Sequence, residues 1–101
     1  MTVTAIIAAA GNGERFGAGF PKALIQLGDR TLLEHAISSL APVVDQIVIS
    51  APAGFEKQIS ELVGEGVIVV TGGATRSISV RNALKVVTGE YVLVHDAALI
   101  Q

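Results

Sequence analysis

At 101 residues the chain has the length of one domain, and with half of its residues hydrophobic and only 16% charged it can build a core from Val, Ile, Leu and Ala. A net charge of -2, with no basic block and no repeated aromatic platform, gives no general attraction to nucleic acid or to an anionic membrane, so any phosphate binding has to be local. The lack of cysteine removes disulfides, thiolate nucleophiles and Cys-based metal sites.

Residues 3–9 form an apolar, partly β-branched run that reads as a central strand buried on both faces. It empties into AAAGNGERFGAGFPK, residues 8–22, where glycines at 11, 13, 17 and 19 leave a loop almost without side chains. Such a loop either lets backbone N–H groups approach a polyphosphate or is a plain surface turn. Arg15 and Lys22 supply two cations, and Pro21 fixes the backbone before the second. The dinucleotide fingerprint fails, because Phe16 stands where its third glycine belongs. A P-loop fails too, since Lys22 is followed by Ala23 rather than Ser or Thr.

Residues 24–27 read as a short extended piece turned by Gly28 and Asp29. Thr31 and Glu34 form a capping box for a helix whose Leu32, Leu33, Ala36, Ile37 and Leu40 face inward, with Pro42 at its end. A second strand, 46–50, precedes a helix over 55–63 with Phe55, Ile59, Leu62 and Val63 on one face. A third strand covers 67–71, and the Gly72-Gly73 turn leads to a helix from about 77 to 87 with Val80, Ala83, Leu84 and Val87 inward. The fourth strand is 91–95.

This alternation predicts an α/β fold, a Rossmann-like three-layer sandwich with a mainly parallel sheet, right-handed crossovers and strand order 3-2-1-4. The order reverses between strands 1 and 4, so a ligand belongs in the crevice beyond their carboxyl ends, where the glycine loop and His95-Asp96 emerge. Nothing at the start of the chain reads as a signal peptide and no apolar run has the length of a membrane span, so a soluble, cytoplasmic chain is expected.

Four motifs stand in order: AAGNGERFG with Pro21-Lys22, LLEHA at 32–36, GG-x-x-R-x-x-SV at 72–80 and VHDAA at 94–98. Together they resemble the 2-C-methyl-D-erythritol 4-phosphate cytidylyltransferase family, within the nucleotidyltransferases. The resemblance makes residues 1–101 the amino-terminal, nucleotide-binding part of such a domain. It implies cytidylyl transfer from CTP to a sugar-alcohol phosphate, 2-C-methyl-D-erythritol 4-phosphate, with release of pyrophosphate in non-mevalonate isoprenoid biosynthesis. By this resemblance Arg15 and Lys22 are the catalytic cations that grip the triphosphate, with Gly11 and Gly13 in the loop around it. Asp96 is the acid near Mg²⁺; it can instead cap the following turn. The base is read by backbone groups at Ala9, Ala10, Gly72 and Gly73 and by the Ser79 hydroxyl, for which a helix-capping role competes. Arg76 is expected to brace its segment rather than touch the nucleotide, and His35 and His95 are expected to be structural.

Two departures stand out: Leu99 occupies a position that is commonly arginine in the family, and family members continue well past residue 101. The expected truncation leaves the fourth strand as an apolar edge, which predicts a homo-oligomer. A ribitol-phosphate or other sugar-phosphate nucleotidyltransferase, and a nucleotide-binding or assembly domain without turnover, are the competing functions.

Overall fold

The computed structural model describes residues 2–10, 15–16 and 20–96. Four strands, β1 (Val3–Ala8), β6 (Gln46–Ala51), β7 (Val67–Thr71) and β8 (Tyr91–Asp96), form one fully parallel sheet ordered β7-β6-β1-β8. Counting only these long strands, the order is the expected 3-2-1-4. Between them lie α1 (Leu32–Leu40), α2 (Glu56–Val63) and α3 (Arg76–Leu84).

Side-chain alternation along β1 and β6 divides the core in two. Ala5, Ile7, Ile47 and Ile49 pack with Leu33, Ala36 and Leu40 of α1 and Ile59 of α2, whereas Ile6 and Val48 pack with Ala83, Val80 and Val94 on the α3 face. The connections through α1 and α2 run outward from β1 and the one through α3 runs back across it. Crossovers of a single hand must then lie on opposite faces, and the three layers follow. Ile6, Ile7, Leu33, Ile49 and Ile59 are fully buried, each worth about 1.5–3 kcal/mol against exposure.

The helices start for local reasons. At α1 the Thr31 hydroxyl accepts from Glu34 N at 3.1 Å while Glu34 Oε1 accepts from Thr31 N at 2.8 Å, the reciprocal box expected from T-x-x-E. His35 Nε2 sits 2.8 Å from Leu27 O, tying α1 to a small hairpin, β4 (Gln26–Leu27) with β5 (Arg30–Thr31). The left-handed Gly28, φ 75°, makes its turn.

Three expectations need correcting. Residues 24–27 are not extended throughout, because Lys22–Leu24 forms a 3-10 turn that buries Ala23 and Leu24. The third helix ends at Leu84, not near 87; Val86 N and Val87 N bond back three residues, to Ala83 O and Leu84 O, and both valines still pack inward. Leu84 is 47% exposed rather than inward, since it lies 100° around the helix from the buried Ala83.

Candidate functional site

The carboxyl ends of the four parallel strands lie together, and their register arranges the last residues of each. Val70, Ser50, Ala8 and Asp96 stand side by side across β7, β6, β1 and β8. The pleat puts them on the same face as Ile6, Val48 and Val94, the face covered by α3. Ser50 Oγ is buried and has no hydrogen-bond partner among the described residues, a feature that a serine inside an apolar strand does not advertise.

Just beyond the strands, Ala10, Gly72, Gly73 and Ser79 close into one cluster. Ser79 is fully buried; its hydroxyl accepts from Gly73 N at 3.0 Å and lies 3.2 Å from Ala10 O and 3.4 Å from Gly73 O as donor. The helix cap is Thr75, whose hydroxyl accepts from Ile78 N at 3.2 Å, so Ser79 is not a cap. Gly72 and Gly73 are held to glycine by space. A Cβ at 72 would collide with Ala10 Cβ and stand 2.9 Å from Ser79 Oγ, and one at 73 would collide with Ile78.

Of the backbone groups expected to read a base, three N–H groups are spent inside the fold. Ala9 N donates to Ser50 O at 3.0 Å, Gly72 N to Ala51 O at 2.8 Å, and Gly73 N to Ser79. The Ala10 and Gly73 carbonyl oxygens, which accept from the Ser79 hydroxyl, each keep a second lone pair. The arrangement favours a ligand that brings N–H donors.

Asp96 ends β8 and is half-buried; its Oδ1 accepts from Arg76 Nε at 2.8 Å. That contact spans 20 residues, and of its two partners GG-x-x-R signals only the arginine. Among the described residues no three His, Asp or Glu side chains gather to cage a metal ion. A lone carboxylate suits a hard cation that keeps its waters and takes the rest of its oxygens from phosphate. His95 is half-buried in β8 beside Ile7. No helix among the described residues is long and apolar enough to cross a membrane.

The glycine loop is placed only in part. Arg15 lies in β2 (Arg15–Phe16), paired antiparallel with β3 (Phe20–Pro21), and its partner is Pro21. The backbone at 15 is therefore brought beside the start of the 3-10 turn that carries the partly buried Lys22. Gly11, Gly13, Ala97, Ala98 and Leu99 lie outside the described residues. A separate depression of about 510 Å³, lined by Leu24, Gln26, Thr31, Gln58, Glu61 and Leu62, shares none of the site residues.

Known proteins resemble this chain in sequence and in fold. A Frankia casuarinae 2-C-methyl-D-erythritol 4-phosphate cytidylyltransferase is 48% identical over 100 residues, 95% of this chain and 38% of that protein. The crystal structure of the Thermus thermophilus cytidylyltransferase of that name matches at TM-score 0.76 and 36% identity, over 97% of this chain and 42% of that one. A Mycobacterium tuberculosis structure, Rv0371C in complex with manganese, shares the fold at TM-score 0.68 and 22% identity, over 97% of this chain and 51% of that one. The chain thus spans about two-fifths of the length of its cytidylyltransferase relatives. The model of the 2-C-methyl-D-erythritol 4-phosphate cytidylyltransferase family matches residues 3–100, and the chain belongs to that family.

Proposed function

We propose that the strand-end crevice binds CTP and serves cytidylyl transfer to 2-C-methyl-D-erythritol 4-phosphate. The observation that carries this reading is the pair of carbonyls at Ala10 and Gly73 clamped by Ser79 at the strand ends. The 4-amino group of cytosine donates to such an edge, whereas the O4 of uracil would set acceptor against acceptor. Ser79, itself fully buried, orders that edge.

In the reaction the phosphate oxygen of the acceptor forms a bond to the α-phosphorus of CTP as the bond to pyrophosphate breaks. Displacements of this kind are accelerated by positioning and by cations set where negative charge gathers. Arg15 and Lys22 take that role, with Gly11 and Gly13 letting the backbone approach the phosphates. Asp96 would hold the divalent cation, Mg²⁺ in this reading, which supplies charge neutralisation on the phosphates when bound. A cytoplasmic setting fits a chain without cysteine that uses a nucleoside triphosphate. The outer edge of β8 is read as the surface through which copies associate.

Calorimetric titration of this chain with CTP and UTP tests the base assignment; CTP binding about tenfold tighter or more is expected, the usual consequence of burying one mismatched polar pair. Equal affinity would sink it. Pyrophosphate release is then assayed with methylerythritol phosphate against ribitol phosphate as acceptor. Release with the first alone supports the assignment, and binding without release assigns this chain a nucleotide-holding role.

A further inference from the structure

The Arg76–Asp96 contact is poorly explained as a prop for the fold. Arg76 is the first residue of α3, where helix N–H groups disfavour a cation, and the first turn holds no acid to compensate. The two side chains are 53% and 37% exposed, so the pair is screened by solvent and adds little to stability. A residue set against its local preference, with no gain in folding, is the pattern of a requirement imposed by a site. Arg76 also follows the cap Thr75 and lies three residues before Ser79, so the turn that carries it is fixed by the clamp on Ala10 and Gly73.

We propose that Arg76 is the positioning residue for Asp96. Its guanidinium engages Oδ1 and leaves Oδ2, which makes no hydrogen bond among the described residues, as the oxygen offered to a divalent cation. Because Arg76 and Ser79 ride on one helical turn, the base-reading edge and the acid are held in a fixed relation by α3. This rests on the reading of the crevice given above, in that the cation neutralises the phosphates of the nucleotide bound there.

The test titrates Mn²⁺ alone into the ¹⁵N-labelled chain and follows paramagnetic broadening of the His95 and Asp96 amide signals. Wild type, R76Q, R76K, D96N and R76Q/D96N are compared. R76Q is expected to need about tenfold more Mn²⁺ than wild type, the scale typical of losing a partner that orients a metal ligand. R76K, which keeps the charge without the planar fork, falls between them. In the D96N background R76Q adds nothing, since a residue that acts through another has no effect once that other is gone. The spectrum shows directly whether each variant is folded, and R76K carries the comparison if R76Q is not. Equal Mn²⁺ requirement in wild type and the folded Arg76 variant, an R76Q effect that persists in D96N, or no selective broadening in wild type would each overturn the proposal. Adding CTP to the same samples separates the two claims. Arg76-dependent Mn²⁺ binding without a CTP response contradicts the nucleotide reading and keeps this one, and CTP binding without an Arg76 effect does the reverse.

Discussion

Gly72 and Gly73 are required for closeness rather than for backbone freedom. Among the described residues the left-handed glycines are 28, 54, 64 and 66, whereas at 72 and 73 a methyl group would run into Ala10 and Ile78. Gly72→Ala is therefore expected to cost about 1–3 kcal/mol by overpacking and to weaken CTP binding at least as much as Ser79→Ala, measured by urea denaturation and calorimetry. Wild-type stability and affinity in Gly72→Ala would mean that the contact is not tight in solution. In the sequence the Gly72-Gly73 pair is visible but its reason is not: a turn and a close approach are written with the same residue. Ser79 is similar. Its place near a helix start suits a cap, and only the position of Thr75 decides against it.

At the level of elements, what lies within three or four residues can be read and what lies farther cannot. The Thr31–Glu34 box and the Gly28 turn are local and legible. The strap at the head of α2 is not: Glu56 accepts from Gly54 N at 2.9 Å and, 15 residues away, from the Thr71 hydroxyl at 2.7 Å, joining the α2 entry to the end of β7. The Thr71 hydroxyl above all, helped by backbone N–H groups, holds the Glu56 carboxyl below its ordinary range. A carboxylate depressed in the folded state contributes stability above its unfolded pKa and loses it as pH falls through the folded value. Thr71→Val should raise the Glu56 pKa toward the ordinary range, read from a ¹³C titration of its carboxyl, and should flatten this part of the acid-induced loss. An unchanged titration would show that Thr71 does not hold Glu56. The same distance limit hides the short β2–β3 hairpin and the Arg76–Asp96 contact, which depend on which strand lies beside which.

For the molecule as a whole, hydrophobic period and Gly punctuation suffice for the three layers and the strand order, because parallel strands and single-handed crossovers admit few arrangements. They also point to an apolar border: Tyr91, Val92 and Leu93 are 56%, 41% and 43% exposed on the outer strand β8. Such an edge pairs with another chain unless it is covered, so sedimentation of this chain should show self-association that falls on dilution and is reduced by Leu93→Lys. A monomer at every concentration would contradict it. The order reversal between β1 and β8 is what gathers residues 9, 10, 72, 73, 79 and 96 at one end of the sheet, and the functional account stands on that gathering. Its most direct test is a ¹⁵N NMR titration with CTP. The account predicts shifts at Ala9, Ala10, Gly72, Gly73, Ser79 and Asp96, with UTP far weaker; no shift, or shifts confined to the opposite strand ends near Asp45 and Gly66, would contradict it.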